Sequence, residues 1–356
     1  MNMPNTYTPC GPRHYNRGFS LVELMIALVI TLILLAGIGQ IFLSSKKSYV
    51  IQDTLGRMQE NGRYAMNELT ADLRRTGYWG GNSSIDTVQG TLGTNITATE
   101  ACPDTSSGPS DWARILNRQI FGLNLTGTEK PSATNHACIK DSGTSPYLRG
   151  DVLTVRYADP SVVGGVTMPL PAGKTIADEY PDRIFLRSSL FRGRIFEGKD
   201  SESVENDIIA PAVRTSELVA RAYYIGASNN ASRCPNDGPV PSLYRLNVVN
   251  GGFVSEEVAY GVDNLQLEYG IDSDNDDAVN RYYNADAISA DTSVTPNWGQ
   301  VIAVRVWMLT RAECPETGYT NSNTYDMSED YTPADTADRG FRRKLYTSTV
   351  RLRNSS

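Results

Sequence analysis

Apolar residues run almost unbroken from Phe19 to Leu43, and the only charged side chain among them is Glu23. As a helix at about 1.5 Å per residue, these 25 residues would measure roughly 37 Å, more than the about 30 Å hydrocarbon core of a bilayer. The stretch is long enough to cross a membrane. It exceeds the apolar core of a secretory signal, about 7 to 15 residues, and Ala36-Gly37-Ile38-Gly39 offers only a weak small-residue cleavage site beyond it.

After Leu43 the period persists but the hydrophobic face narrows. Tyr49, Leu55, Met58, Ala65, Met66, Leu69 and Leu73 recur at mostly three- and four-residue intervals, with Gln59, Glu60, Arg63, Glu68, Asp72 and Arg74 assigned to the wet face. The pattern predicts one helix, apolar in its first half and amphipathic in its second, ending near Gly77. From Gly80 to about Gly150 the chain is rich in Gly, Ser, Thr, Asn and Asp, which predicts loops around a short helix near Asp111 to Asn117. Alternating strand signals follow at Asp151 to Tyr157, Arg183 to Leu186, Leu218 to Ile225, Ser242 to Val249, Asn264 to Tyr269, Val301 to Thr310 and Lys344 to Leu352. The expected fold class is α+β, with the long N-terminal helix packed on an antiparallel β-sheet head.

The lone acid changes how the apolar run reads. A carboxylate at the centre of a membrane helix costs roughly 2.5 to 3.5 kcal/mol on insertion scales, so Glu23 calls for a partner and a function. Flanking charge leaves the orientation open, because Arg13 and Arg17 precede the segment while Lys46 and Lys47 follow it.

A basic leader, then Gly18-Phe-Ser-Leu-Val-Glu-Leu-Met25, then an apolar helix, closely resembles the class III signal of type IV prepilins and pseudopilins. The resemblance implies cleavage by a prepilin peptidase between Gly18 and Phe19, on the cytoplasmic face, with N-methylation of Phe19. It implies that Glu23 is the acidic position facing the charged amino terminus of a neighbouring subunit. Pairing fits the physics, since a desolvated amine and a desolvated carboxylate each lose hydration that their attraction partly restores. Where many major pilins carry a proline along this helix, this chain has Gly37 and Gly39, which either loosen the helix or let neighbouring helices approach.

Residues further along narrow the resemblance. Asn61-Gly-Arg-Tyr-Ala-Met-Asn-Glu-Leu-Thr-Ala-Asp-Leu-Arg74, Gly77-Tyr-Trp-Gly80, Pro241-Ser-Leu-Tyr-Arg245, Val304-Arg-Val-Trp-Met-Leu309 and the ending Arg342 to Arg353 are similar to PilW-type minor pilins. That family implies a subunit that primes pilus assembly at or near the fibre tip and supports twitching motility and surface attachment. The implied partners are the prepilin peptidase, other minor pilins, the major pilin, the inner membrane and a surface ligand. Before assembly the chain would sit in the inner membrane as a single-pass protein with a periplasmic head. The corresponding division is residues 1–18 as leader, 19–43 as transmembrane and fibre-core helix, 44–77 as its amphipathic continuation, and 78–356 as a β-rich head.

Composition and charge then restrict the alternatives. Hydrophobic residues at 40% and charged residues at 21% are globular values, which excludes wholesale disorder, and about 280 residues beyond the helix give a head larger than that of a usual major pilin. The net charge of −7 becomes −9 once a leader holding Arg13, Arg17 and no acid is removed, so specific nucleic-acid binding is not expected. The basic run Arg342-Arg343-Lys344, with Arg351 and Arg353, is read as the solvated face of a terminal strand. Cleavage after Gly18 would discard Cys10 and leave Cys102, Cys138, Cys234 and Cys314, an even number suited to an oxidising compartment. Three pairings are open; Cys102 with Cys138 and Cys234 with Cys314 is favoured because each pair sits in one half of the head.

Asp272-Ser-Asp274-Asn-Asp276-Asp277 places carboxylates like the first half of an EF-hand loop, which makes Asp272, Asp274 and Asp276 a candidate Ca²⁺ site. The sixth position is Asp277 instead of Gly and the twelfth is Tyr283 instead of Glu, and Asp and Asn also form turns without metal. No Gly-x-Ser-x-Gly elbow, phosphate loop or His-Glu-x-x-His occurs, and His136 would be the single histidine left after cleavage, so catalysis is not expected. Two other readings share the leader: a minor pseudopilin of a type II secretion system, and a calcium-dependent tip adhesin.

Overall fold

The computed structural model describes residues 18–82, 85–90, 109–126, 129–131, 138–139, 146–205, 213–289, 293–333 and 338–354. In chain order the elements are α1 (Leu21–Arg75), β1 (Val88–Gln89), α2 (Pro109–Ala113), β2 (Ile120–Leu123), β3 (Tyr147–Ala158), α3 (Ile176–Glu179), β4 (Ile184–Ser188) and β5 (Gly193–Glu197). Then come α4 (Ser201–Glu205), β6 (Arg214–Ala227), β7 (Pro241–Val249), β8 (Gly252–Tyr260), β9 (Val262–Ile271), β10 (Arg281–Tyr283), β11 (Val301–Arg311) and β12 (Arg343–Arg351). The chain divides into two compact units, Met1–Asp53 and Thr54–Ser356, with the division falling inside α1.

In the first unit the apolar side chains of α1 are exposed, as in Leu24, Leu28 and Leu35. The hydroxyl of Thr31 donates to the carbonyl of Ala27 at 2.7 Å, so this polar group is satisfied within the helix. A Cβ added at Gly37 or Gly39 would meet nothing within 4 Å, so the chain's own packing does not require glycine there.

In the second unit an eight-stranded sheet has the order β1-β5-β4-β6-β3-β2, with β7 added to β6 and β8 to β7. A four-stranded sheet has the order β10-β9-β11-β12. The head therefore has two sheets where one was expected, and every pair is antiparallel except β1 with β5. Ala65, Leu69 and Leu73 of α1 share one core with Leu153, Val155, Tyr157, Tyr223 and Ile225 of the larger sheet and Leu265, Leu267, Val304 and Val306 of the smaller. The opposite face of the larger sheet packs on Trp112, Ala113, Ile115 and Leu116, and a smaller cluster gathers Ile176, Phe185, Phe196 and Val204 beneath α3 and α4. Strand β6 lies between the first two cores, which is why its side chains are buried on both faces.

Three expectations need correction. The buried stripe of α1 begins at Met58, since Tyr49 is 71% exposed, and Asp72, assigned to the wet face, is 2% exposed. The predicted helix at 111–117 is shorter and earlier, at Pro109–Ala113, followed by turns. Arg343 is not on a solvated face: it is buried, its Nε donates to Asp263 at 2.6 Å, and it also bonds Asp338.

Candidate functional site

The N-terminal segment forms a reciprocal cap. Ser20 Oγ accepts from the backbone N–H of Val22 at 3.3 Å, and Glu23 Oε2 accepts from the backbone N–H of Ser20 at 3.0 Å. Ser20 and Glu23 therefore cap the start of the helix from both sides, with the acid at the helix's positive end where the dipole also favours it. A carboxylate has about four acceptor positions, so this bond leaves capacity for a second donor. Gly18, Phe19 and Ser20 precede the helix, and Phe19 is 88% exposed, so the Gly18–Phe19 peptide lies in accessible non-helical backbone. A Cβ at Gly18 would meet nothing within 4 Å, so any demand for glycine there comes from outside the folded chain.

The amphipathic half of α1 is fixed to the head by shape and by charge. A Cβ at Gly62 would lie 2.4 Å from the ring of Tyr346 and 3.0 Å from Thr310 Cγ2, so glycine is what lets the helix backbone approach β11 and β12. Asn61 Nδ2 donates to the carbonyl of Tyr260 at 2.9 Å beside it. One turn from the helix end, Asp72 Oδ1 accepts from the Tyr157 hydroxyl at 2.8 Å and Oδ2 from the Tyr223 hydroxyl at 2.6 Å. Arg221 Nη1 donates to both oxygens, at 2.9 and 2.8 Å. Burial, followed by the Asp72 charge, pushes both phenols up from their ordinary range, so they remain donors. A charged group with this many bonds has one orientation, so Asp72 sets the rotation and register of the helix on the sheet.

Elsewhere in the head, Cys234 is bonded to Cys314 with Cα atoms 5.6 Å apart. Cys138 is also disulfide-bonded, while Cys102 and His136 lie outside the described residues. Asp272, Asp274 and Asp276 bring carboxylate oxygens within 4.8 Å of one another. Asp272 Oδ1 and Oδ2 accept from the backbone N–H groups of Asp276 at 3.3 Å and Asp277 at 2.9 Å, and Asn280 Nδ2 donates to Asp274. Asn275 and Asp277 take left-handed backbone, with φ of 58° and 66°. The segment is thus a turn with its own caps, and two of the three acids are exposed.

Sequence reasoning missed two buried groups. Asp151, at a bulge in β3, receives the N–H of Leu267 at 2.7 Å and that of Leu125 at 3.3 Å, and so ties the larger sheet to β9. Desolvation raises its carboxyl to about 8 despite those bonds. Arg156 is fully buried, donates to the carbonyls of Trp112 and Arg118, and is lowered to about 9 by desolvation. The strand pattern of β3 put Arg156 next to Val155 and Tyr157 but gave no sign that both its faces are covered.

A helix of membrane-spanning length, whose second half carries a stripe docked on a β-rich head, is a pilin-like architecture. Residues 13–39 match the family model for the prokaryotic N-terminal methylation motif, and residues 222–354 match that described as Type IV Pilus-assembly protein W. Over those segments the chain is similar to PilW-type minor pilins. The PilW match runs from β6 through β12 and includes the whole four-stranded sheet and the Cys234–Cys314 bond. Among solved structures, a type IV-like pilin from Thermus thermophilus aligns at 12% identity with a TM-score of 0.26, covering 59% of this chain and 82% of that one. No curated protein matches the chain. The N-terminal motif and the apolar helix fit membrane anchoring and incorporation into a pilus.

Proposed function

We propose that this chain is a non-catalytic minor subunit that helps prime assembly of the type IV pilus, sits at or near the fibre tip, and supports twitching motility and attachment. The observation that carries the reading is the coexistence, on one chain, of the methylation motif at 13–39 and the PilW match at 222–354. Prepilin peptidase cuts between Gly18 and Phe19, and Phe19 is then N-methylated. The freed segment is held in the inner membrane by α1 until the subunit enters the fibre among other minor pilins and the major pilin.

Glu23 has two tasks in this scheme. Its bond to Ser20 N–H starts the helix next to the new terminus, and its remaining acceptor capacity receives the charged amine of an adjacent subunit. The Gly62 contact and the Asp72 bonds hold the second half of α1 in one rotation on the sheets of the head. A type II secretion pseudopilin would use the same leader, but the PilW match favours the pilus. Deleting the gene and counting surface fibres tests the priming role: fibres should fall sharply and twitching should stop. Normal fibre number with normal motility would remove it.

A further inference from the structure

The hairpin between β4 and β5 ends in Ser189-Leu190-Phe191-Arg192, and its apex is chemically out of place. Tight hairpin tips favour Gly, Asn and Asp, yet here two large apolar residues stand side by side, Leu190 55% and Phe191 72% exposed. The apex is held firmly. Ser189 N–H donates to the carbonyl of Arg192 at 2.8 Å, Asn82 Nδ2 donates to the carbonyl of Ser189 at 3.1 Å, and Ser188 Oγ donates to the carbonyl of Gly80 at 3.1 Å. Arg192 stands at the tip, and along the strands Arg187 lies opposite Arg194 and Arg214 opposite Ser188. Arg with an aromatic anchor is the composition of protein interfaces.

The same head carries a complementary recess. A cavity of about 750 Å³ has Leu125, Leu148 and Phe341 in its lining, with the acids Asp237, Glu329, Asp330 and Asp338 and the bases Arg149 and Arg311 also on its wall. Asp237, Glu329, Asp330 and Asp338 outnumber the two arginines on the wall, so volume and charge suit a turn with an apolar apex and an arginine collar.

We propose that the Leu190–Phe191 apex of one copy docks into this acidic cavity of a second copy. The contact is heterologous, because the apex and the recess are different surfaces of the same chain, so each docked copy still presents one of each and the association can propagate. It does not depend on the role in priming, since it needs no assembly machinery.

The test uses the full chain in nonionic detergent at low salt, followed by sedimentation. Wild type should associate with increasing concentration and dissociate as salt rises. Arg192→Glu and Glu329→Arg should each weaken association at least about tenfold, the scale of a rim charge turned repulsive. Mixing the two variants should restore it, because each apex then meets a recess of opposite charge. Unchanged near-ultraviolet circular dichroism verifies that both variants fold. A wild type that stays monomeric, variants that associate like wild type, or a mixture that gains nothing over its components would each overturn the proposal. A photoreactive residue at position 191 should cross-link to the Glu329–Thr332 segment of another copy, and cross-links elsewhere would also contradict it.

Discussion

Replacing Asp72 by alanine tests how the head is held on its helix. Asp72 is 2% exposed, Tyr157 and Tyr223 are fully buried, and the side chain of Arg221 is 22% exposed, so the carboxylate's removal leaves a mostly buried guanidinium and two hydroxyls without their acceptor. Breaking a buried ion pair from one side costs about 3–5 kcal/mol, and the two phenol bonds to a charged acceptor lie within that sum. Against a total stability of roughly 5–15 kcal/mol, that is a large share. Asp72→Asn keeps one acceptor oxygen and should cost about half as much. Urea unfolding of the full chain in micelles, read by the fluorescence of buried Trp112 and Trp298, gives the difference directly. With Arg221→Met already present, Asp72→Ala should cost less by at least about 1 kcal/mol, because the stranded charge is gone. A loss below about 1 kcal/mol for Asp72→Ala, or strict additivity with Arg221→Met, would show that this carboxylate does not hold the helix on the sheet.

Gly62→Val should destabilise the head by about 1–3 kcal/mol through overpacking against Tyr346 and Thr310, and a Tyr346→Ala partner should recover part of it; equal unfolding midpoints for Gly62→Val and wild type would count against close packing there. Asp151 titrates near 8 in the folded chain against about 4 unfolded, so its contribution is full below pH 4 and is lost as pH rises through 8. Between pH 5 and 7 the loss has a ceiling of about 2.7 kcal/mol, and Asp151→Asn should flatten the profile; an unchanged slope in that variant would reject the assignment. Gly18→Val should leave helix and head intact, since no atom lies within 4 Å of the added Cβ, yet abolish processing; a mature-sized band on a gel would show that the peptidase tolerates a side chain there. Glu23→Gln should be cleaved normally but enter fibres poorly, and equal recovery with wild type in sheared fibres would contradict its role between subunits.

The elements that could be read in advance were those whose pattern is local. The long helix and seven strands announced themselves by periods of 3.6 and 2, and their limits agree with the structure to within a few residues. β8 escaped because it covers the outer side of β7 and its side chains are mostly half-buried, which weakens any alternation. The two residues of β1 and the three of β10 are too short for any period to show. Asp72 was misplaced because a carboxylate on a helix normally faces water. Its position three residues after Leu69 and next to Leu73 puts it on the flank of the apolar stripe, a signal that was present in the spacing. Arg343 was beyond reach, since its partner Asp263 is 80 residues away in sequence and only the pairing of β12 with β11 and of β11 with β9 brings them together. At the N-terminus, Gly18, Phe19 and Glu23 are legible as a motif, and the Ser20–Glu23 cap is written in the same letters as Ser-x-x-Glu.

Mass spectrometry of the chain recovered from sheared, washed pili tests at once whether it is processed as a prepilin and whether it is built into a fibre. An N-terminus at N-methylated Phe19 in the fibre fraction is the expected result. A chain that begins at any other residue, or that is found solely in the membrane fraction with residues 1–18 attached, would contradict it.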